Sequence, residues 1–126
     1  MNVLLDTNIF IEYFRGSEQA KEYLKRLITE EEVVYFSAIS EAELICGKSC
    51  NTQETKEKVL HLLSLFNKIH VDNKVAQLAG DIRRRYDIAL PDALIAASAL
   101  VSESVLMTKN MKDFRRIEGL LVKPPY

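Results

Sequence analysis

The stretch Val3-Leu4-Leu5-Asp6-Thr7-Asn8 is a short apolar run that meets an acidic residue almost at once. Such a run is typical of a buried strand. Asp6 or Thr7 then supplies a helix cap, and apolar residues recur at helical spacing as far as Arg15-Gly16. The beginning of the chain therefore predicts a strand that passes directly into a helix.

The rest of the chain continues this alternation of strands and helices. Further strands are predicted at residues 33–36, 68–71, 105–107 and 120–122. Further helices are predicted from Ser17, from Ser37 or Ser40 to Gly47, and over residues 53–66, 75–86, 92–101 and 111–116. Strands separated by helices indicate a three-layer α/β fold, with a central parallel sheet flanked by helices. No repeat or linker interrupts the pattern, so we expect one domain over residues 1–126.

The composition is that of an ordinary globular protein, with 126 residues, 48% hydrophobic and 28% charged. Cys46 and Cys50 are too few for a disulfide framework, which favours a reducing compartment. The sequence shows no signal peptide and no apolar stretch of membrane-spanning length, so we expect a cytoplasmic protein without membrane attachment. A net charge of −1 means that binding to nucleic acid would need a local basic surface.

Acidic residues stand at comparable places in successive strand–helix units. Asp6 follows the first strand, Glu43 lies one turn into the helix after the second strand, and Asp92 begins the helix before the fourth strand. Asn110 and Asp113 follow that fourth strand. Because ligands of open parallel sheets bind beyond the carboxyl ends of the strands, we expect these residues to converge at one edge of the sheet.

A cluster of carboxylates is costly unless a cation neutralises its charge. Hard oxygen ligands select Mg²⁺ or Mn²⁺, and no set of His and Cys residues has good zinc spacing. The acidic residues therefore predict a metal site at this edge, and phosphodiester hydrolysis is the chemistry that commonly needs such an arrangement. The alternatives are that Asp6 and Asp92 cap helices and that Glu43 and Asp113 are solvated surface charges.

Four segments resemble the four motifs of PIN domains, in the same order along the chain. They are LLDTN (4–8), SAISEAEL (37–44), LPDALIAA (90–97) and LMTKNMKDF (106–114), the last continued by IEGL (117–120). The resemblance implies a metal-dependent nuclease in which Asp6, Glu43 and Asp92 are the acidic site residues. The length of the chain, with no additional domain, is similar to that of VapC toxins from toxin–antitoxin pairs.

The fourth acidic position departs from the family pattern, because Asn110 stands where many PIN domains have an aspartate. An asparagine offers a carbonyl oxygen without charge, which orients water or binds metal weakly. Asp113 is the alternative fourth acid, unless it caps the short helix instead. We expect Thr7, Asn8 and Thr108 to hydrogen-bond the carboxylates, although local capping of the turns is an equally compatible role.

The resemblance also implies partners, namely an RNA substrate, a cognate antitoxin and a second copy of the chain. An apolar stripe on the first helix should be mostly core, and any exposed part would suit a helical partner peptide. The stripe comprises Ile9, Phe10, Tyr13 and Phe14. Basic residues that flank the proposed site, in and directly after the fourth motif, are predicted to contact phosphates, and the role of a second basic group, residues 83–85, is left open. The first group comprises Lys109, Lys112, Arg115 and Arg116.

The sequence thus favours a metal-dependent endoribonuclease acting as the toxin of a toxin–antitoxin pair. A PIN nuclease that processes RNA without an antitoxin is a second interpretation. A catalytically silent RNA-binding PIN module is a third, and Asn110 and the modest net charge favour it.

Overall fold

The computed structural model describes residues 2–30 and 32–126. The strands in this part of the chain are β1 (Asn2–Leu5), β2 (Val33–Ser37), β3 (Asn67–Ile69), β4 (Val105–Met107) and β5 (Val122–Lys123). The helices are α1 (Thr7–Phe14), α2 (Glu18–Thr29), α3 (Ala38–Cys46), α4 (Gln53–Leu63), α5 (Asn73–Tyr86), α6 (Leu90–Val101) and α7 (Met111–Phe114). One or two helices separate each strand from the next, as the sequence predicts.

The strands form one sheet in the order β3-β2-β1-β4-β5, and every neighbouring pair is parallel. Leu4 in the central strand β1 is in register with Tyr35 of β2 on one side and Leu106 of β4 on the other. The chain builds the sheet outward from β1 through β2 to β3 and then returns to the other side of β1 for β4. This reversal creates a switch point between β1 and β4, where ligands of open α/β sheets bind beyond the carboxyl ends.

Successive residues of β1 point to opposite faces of the sheet and join separate cores. Val3 and Leu5 belong to a core with buried residues of α1, α2, α3 and α4. Leu4 belongs to a second core with buried residues of α5, α6 and α7. The predicted three-layer α/β fold with a parallel sheet flanked by helices is confirmed.

Two boundaries around β3 differ from the predicted ones. Helix α4 ends at Leu63 rather than at residue 66, because the chain turns there and the Ser64 hydroxyl donates to the carbonyl of His61 at 2.6 Å. Strand β3 begins at Asn67, whose side-chain amide donates to the carbonyl of Val34 at 3.1 Å. His70, predicted to lie in the strand, therefore lies beyond it and is exposed.

Three boundaries in the last third of the chain also differ by about one turn or less. Helix α6 begins at Leu90, so that Pro91 and Asp92 both lie in its first turn. Helix α7 ends at Phe114 instead of residue 116, and β5 begins at Val122 instead of residue 120. Although α6 is strongly apolar, no described helix is long and apolar enough to cross a membrane.

Candidate active site

Asp6 lies at the carboxyl end of β1 and is 5% exposed. As the N-cap of α1, its Oδ1 accepts a hydrogen bond from the Thr7 backbone N–H at 2.8 Å. Its Oδ2 accepts from the Thr108 hydroxyl at 2.6 Å. Burial raises the pKa of Asp6 above its usual value and the charge of Glu43 raises it further, although the two hydrogen bonds oppose this. Asp6 is thus both the predicted helix cap and a predicted site residue.

Glu43 reaches the same region from α3, which is capped by Ser37. Its Oε1 accepts a hydrogen bond from the Thr7 hydroxyl at 2.8 Å. Thr7 therefore joins the two carboxylates, because its N–H binds Asp6 and its O–H binds Glu43. The predicted support of the carboxylates by Thr7 and Thr108 is confirmed, whereas Asn8 is exposed.

Asp92 lies in the first turn of α6 and is half-buried. The N-cap of this helix is Ala89, without a side-chain cap, so Asp92 does not hold the capping position that the sequence left open. Burial raises the pKa of Asp92 to about 6, and the charges of Asp6, Glu43 and Asp113 add to this. Four carboxylates from distant parts of the sequence therefore share one region of the molecule.

Asn110 and Asp113 form a pair at the start of α7. The side-chain amide of Asn110 donates to Oδ2 of Asp113 at 3.2 Å. The backbone N–H of Asn110 donates to the hydroxyl of Thr108 at 3.0 Å, so the pair is tied to the residue that binds Asp6. Asn110 occupies the N-cap position of α7 without capping it, and its side chain binds Asp113 instead.

The donor chemistry of this region suits a hard divalent cation. Burial and the mutual repulsion of carboxylates raise the pKa values of Asp6 and Asp92, so their negative charge is not fully compensated. A divalent cation bound by oxygen ligands would compensate it. In residues 2–30 and 32–126, no group of three or more His, Cys, Asp or Glu side chains has a geometry that could already hold a metal ion.

The basic residues in and directly after the fourth motif divide into two kinds. The Lys109 ammonium lies 3.2 Å from Glu12 Oε1 and 4.3 Å from the centre of the Tyr126 ring. Arg116 donates to the carbonyl of Tyr86 at 2.7 Å. Lys109 and Arg116 thus have structural contacts within the chain. Lys112 and Arg115 are exposed.

Two of the three arginines at positions 83–85, Arg83 and Arg85, have structural contacts. Arg83 donates to the carbonyl of Ile88 at 2.6 Å and so holds the connection between α5 and α6. Arg85 forms an ion pair of 3.2 Å with Glu118 and lies over the ring of Tyr86. These contacts favour a role in packing α5 rather than in binding RNA.

A groove of about 570 Å³ runs between α1, α3 and α4. Ile11 and Phe14 line it from α1, and Leu44 lines it from α3. Glu43 lines it as well, so the groove reaches the acidic region. The predicted apolar stripe on α1 is mostly core, as expected, but Phe14 is 38% exposed and offers an apolar contact in this groove.

Ser40 belongs to the site and was not predicted to do so. The sequence suggested Ser40 only as a possible start of the third helix, a place that Ser37 takes. Its side chain is fully buried, and its hydroxyl oxygen lies 2.7 Å from that of Thr7. Ser40 and Glu43 are three residues apart and therefore lie on one face of α3. This spacing is the feature of the sequence that could have identified Ser40 as a site residue.

Known proteins resemble this chain over almost its whole length. Residues 3–120 match the family model described as PIN domain. Ribonuclease VapC10 of Mycobacterium tuberculosis is 36% identical over 129 residues, which cover 98% of this chain and 92% of the relative. A toxin–antitoxin complex from Klebsiella pneumoniae contains a chain with TM-score 0.80 and 33% identity, with 98% of both chains covered. VapBC2 from Rickettsia felis, bound to a DNA fragment from its promoter, gives TM-score 0.81 and 27% identity, again with 98% of both chains covered.

Proposed function

The chain belongs to the PIN-domain family, and from this premise we propose that it is a metal-dependent endoribonuclease, the toxin of a toxin–antitoxin pair. The observation that carries the proposal is that Asp6 and Glu43 are joined by Thr7 at the carboxyl end of β1 and lie near Asp92, whose pKa is raised by burial and by their charges. Buried or half-buried carboxylates of like charge are expensive, and a divalent cation is the usual compensation in a nuclease. The relatives named as ribonucleases support RNA as the substrate.

Asp6, Glu43 and Asp92 would hold Mg²⁺ or Mn²⁺. When bound, such an ion activates water and stabilises the charge that develops on phosphate oxygens. The chain itself fixes the direction of the carboxylates. Thr108 and the Thr7 N–H orient Asp6, and the Thr7 hydroxyl orients one oxygen of Glu43. Hydrogen bonds of this kind determine the rotamers of ligands and support metal affinity.

Asn110 and Asp113 complete the site at its edge. Because the Asn110 amide N–H is directed to Asp113, the carbonyl oxygen of Asn110 is left to accept from water. The negative charge of Asp113 repels that of Asp92 and so adds to the rise in the pKa of Asp92 that burial causes. We assign the fourth position of the site to this pair rather than to either residue alone.

RNA would approach over the exposed basic residues near α7. Lys112 and Arg115 are exposed and lie on either side of Asp113 in the sequence, which supports a role in contacting phosphates. Phosphate contacts position a nucleic acid without reading its sequence. This arrangement supplies the local basic surface that the net charge of −1 does not.

The groove between α1, α3 and α4 is the proposed site of the antitoxin. Its apolar residues Ile11, Phe14 and Leu44 suit an amphipathic helix or an extended peptide. The groove also reaches Glu43, so a bound segment would lie against the acidic site and block it. A relative solved as part of a toxin–antitoxin complex supports such a partner. We also propose a homodimer, as the family resemblance implies, and light scattering on the purified protein tests it.

The experiment that tests the function is cleavage of a fluorescent single-stranded RNA by the purified protein. Cleavage should appear with Mg²⁺ or Mn²⁺ and disappear with excess EDTA. Glu43→Gln, which keeps the shape of the side chain, is the control for a contaminating nuclease. Cleavage that persists in EDTA would refute the metal mechanism. RNA binding without cleavage under any metal would favour the catalytically silent module, and cleavage without growth arrest in cells would favour RNA processing.

A further inference from the structure

We propose that Ser40 is a positioning residue, which holds the Thr7 hydroxyl in the orientation that fixes Glu43. The inference rests on the proposed function, since it concerns how that site binds its metal. Ser40 does not contact a carboxylate in the structure. Its hydroxyl lies 2.7 Å from Thr7 Oγ1, which in turn lies 2.8 Å from Glu43 Oε1.

The direction of the two hydrogen bonds follows from counting protons. A hydroxyl group has one proton to donate, and an ionised carboxylate can only accept. Thr7 therefore gives its single proton to Glu43. The contact between Ser40 and Thr7 must then use the proton of Ser40, with Thr7 as the acceptor. The three side chains form one directed chain of donors that ends on the carboxylate.

Burial keeps water from taking the place of either hydroxyl in this chain of hydrogen bonds. Ser40 is 0% exposed and Thr7 is 4% exposed. In such surroundings hydrogen bonds that share a hydroxyl strengthen one another. Removal of the Ser40 donor would therefore weaken the bond from Thr7 to Glu43 and leave the Thr7 side chain less firmly oriented.

The other buried serine of a helix shows what a merely structural hydroxyl does. Ser98 in α6 is also 0% exposed, but its hydroxyl donates to the carbonyl of Leu94 four residues earlier, at 2.8 Å. This back-bonding is the common use of serine inside a helix. Ser40 instead bonds a side chain on another helix, and Ser37 already caps α3. Capping thus does not explain Ser40, and Ser98 is a matched control.

The consequence for the site is a fixed carboxylate. With Oε1 of Glu43 held by Thr7, the second oxygen of Glu43 is presented in one orientation. Groups that orient metal ligands in this way typically account for roughly 10- to 100-fold in metal affinity or activity. Because Ser40 acts through Thr7, we expect Ser40→Ala to weaken Mn²⁺ binding by about tenfold, at the low end of that range.

The test is a double-mutant cycle with Ser40→Ala, Thr7→Val and the two combined, and with Ser98→Ala as the control. Mn²⁺ affinity is measured by calorimetry, kcat and KM are measured on RNA, and thermal melts verify folding. The expected result is weaker Mn²⁺ binding and lower kcat for Ser40→Ala, recovery in Ser40→Thr and unchanged affinity in Ser98→Ala. The double variant should be no worse than Thr7→Val alone, because residues that act in series are not additive.

Unchanged Mn²⁺ affinity and kcat in a folded Ser40→Ala protein would overturn the inference, and so would additive losses in the cycle. If Ser40→Ala does not fold, Ser40→Cys keeps the side-chain volume with only a weak donor and takes its place. A crystal structure of the variant separates this inference from the proposed function. Even if the wild type neither binds Mn²⁺ nor cleaves RNA, the hydrogen bond from the Thr7 hydroxyl to Glu43 should be longer in Ser40→Ala than its present 2.8 Å. A Thr7–Glu43 bond kept at its present length would refute the role of Ser40.

Discussion

The hydroxyl of Thr108 donates a 2.6 Å hydrogen bond to Oδ2 of Asp6, between residues that are 102 positions apart in the sequence. The two meet because β1 and β4 are parallel neighbours, with Leu5 in register with Met107, and both strands end there. Thr108 is fully buried. A buried hydroxyl aimed at a buried carboxylate links the fold of the sheet directly to the candidate site.

Thr108→Val removes this donor while nearly keeping the shape of the side chain. Because a hydrogen bond to a charged group contributes about 1.5–3 kcal/mol, the free energy of unfolding of the variant should be lower than that of the wild type by about this amount. Mn²⁺ affinity should fall by roughly 10- to 100-fold. Calorimetry and urea unfolding measure the two effects, and Thr108→Ser, which keeps the hydroxyl, should stay close to the wild type. An unchanged Mn²⁺ affinity in folded Thr108→Val would remove Thr108 from the site.

Asp6→Asn should abolish RNA cleavage and relieve growth arrest when the protein is expressed. The amide keeps the size of the side chain, its oxygen can still accept from the Thr7 N–H, and its NH2 group can donate to the Thr108 hydroxyl, so the fold should be preserved. Growth curves after induction, with immunoblots for equal expression and circular dichroism for folding, measure the outcome. Equal toxicity of the folded variant would mean that the growth arrest does not come from this site.

The pair Asn110 and Asp113 predicts a comparison between two alanine variants. Asn110→Ala removes both the amide that binds Asp113 and the carbonyl oxygen, whereas Asp113→Ala removes a charge. If Asn110 orients water or metal, Asn110→Ala should reduce kcat more than Asp113→Ala does. Cleavage kinetics at saturating Mn²⁺ decide the order. The reverse order would give the fourth position to Asp113, and two mild effects would leave a site of three carboxylates.

Asp92→Asn should stabilise the metal-free protein near pH 7, or leave its melting temperature unchanged. The variant removes one charge from a region where Asp6, Glu43 and Asp113 repel it. The same substitution should also lower the free energy of unfolding by roughly 0.3–1 kcal/mol, since an acidic residue in the first turn of a helix interacts favourably with the helix dipole. The wild type should gain stability from added Mn²⁺, by RT ln(1 + [L]/Kd), and the variant should gain little. A variant that is less stable and responds to Mn²⁺ like the wild type would exclude Asp92 as a ligand.

The same pair of proteins predicts a pH dependence of stability without metal. Folding raises the pKa of Asp92 from 3.8 to about 6, so the folded state keeps a proton that the unfolded state has already released. The stabilisation from this proton is complete below pH 3.8 and is lost as the pH rises through about 6. The free energy of unfolding of the wild type should therefore fall between these values relative to Asp92→Asn. Urea unfolding in EDTA measures this difference, and a constant difference across the range would contradict the prediction.

Phe14→Ser should weaken capture of the antitoxin while leaving RNA cleavage intact. Phe14 is exposed in the groove between α1, α3 and α4, and it does not belong to either buried core. Loss of an aromatic contact at an interface typically costs more than 1 kcal/mol where the side chain is an anchor. Binding of the proposed antitoxin is measured by calorimetry, with Leu121→Ser as an exposed control outside the groove. Equal affinities of the two variants would place the partner elsewhere.

The sequence by itself determined the order of the elements and the fold class. Apolar runs such as Val3–Leu5 and the helical spacing around them are local patterns, and local patterns do not need the tertiary structure to be read. The positions of Asp6, Glu43 and Asp92 after or before strands also followed from this order, because parallel strands bring their carboxyl ends to one edge. Element ends such as that of α4 were less certain, since turn hydrogen bonds like the one from Ser64 decide them.

Only the tertiary structure decided how the side chains of the site are held. The bond from Thr108 to Asp6 depends on β4 lying next to β1, and that neighbour relation comes from the sheet order rather than from any local pattern. The role of Ser40 depends on α1 and α3 lying close enough for two hydroxyls to meet. The structural contacts of Lys109 and Arg85 likewise involve residues far away in sequence. Hydrogen bonds and charge interactions act over a few ångströms of space, so the sequence names the groups but only the packed chain determines which of them meet.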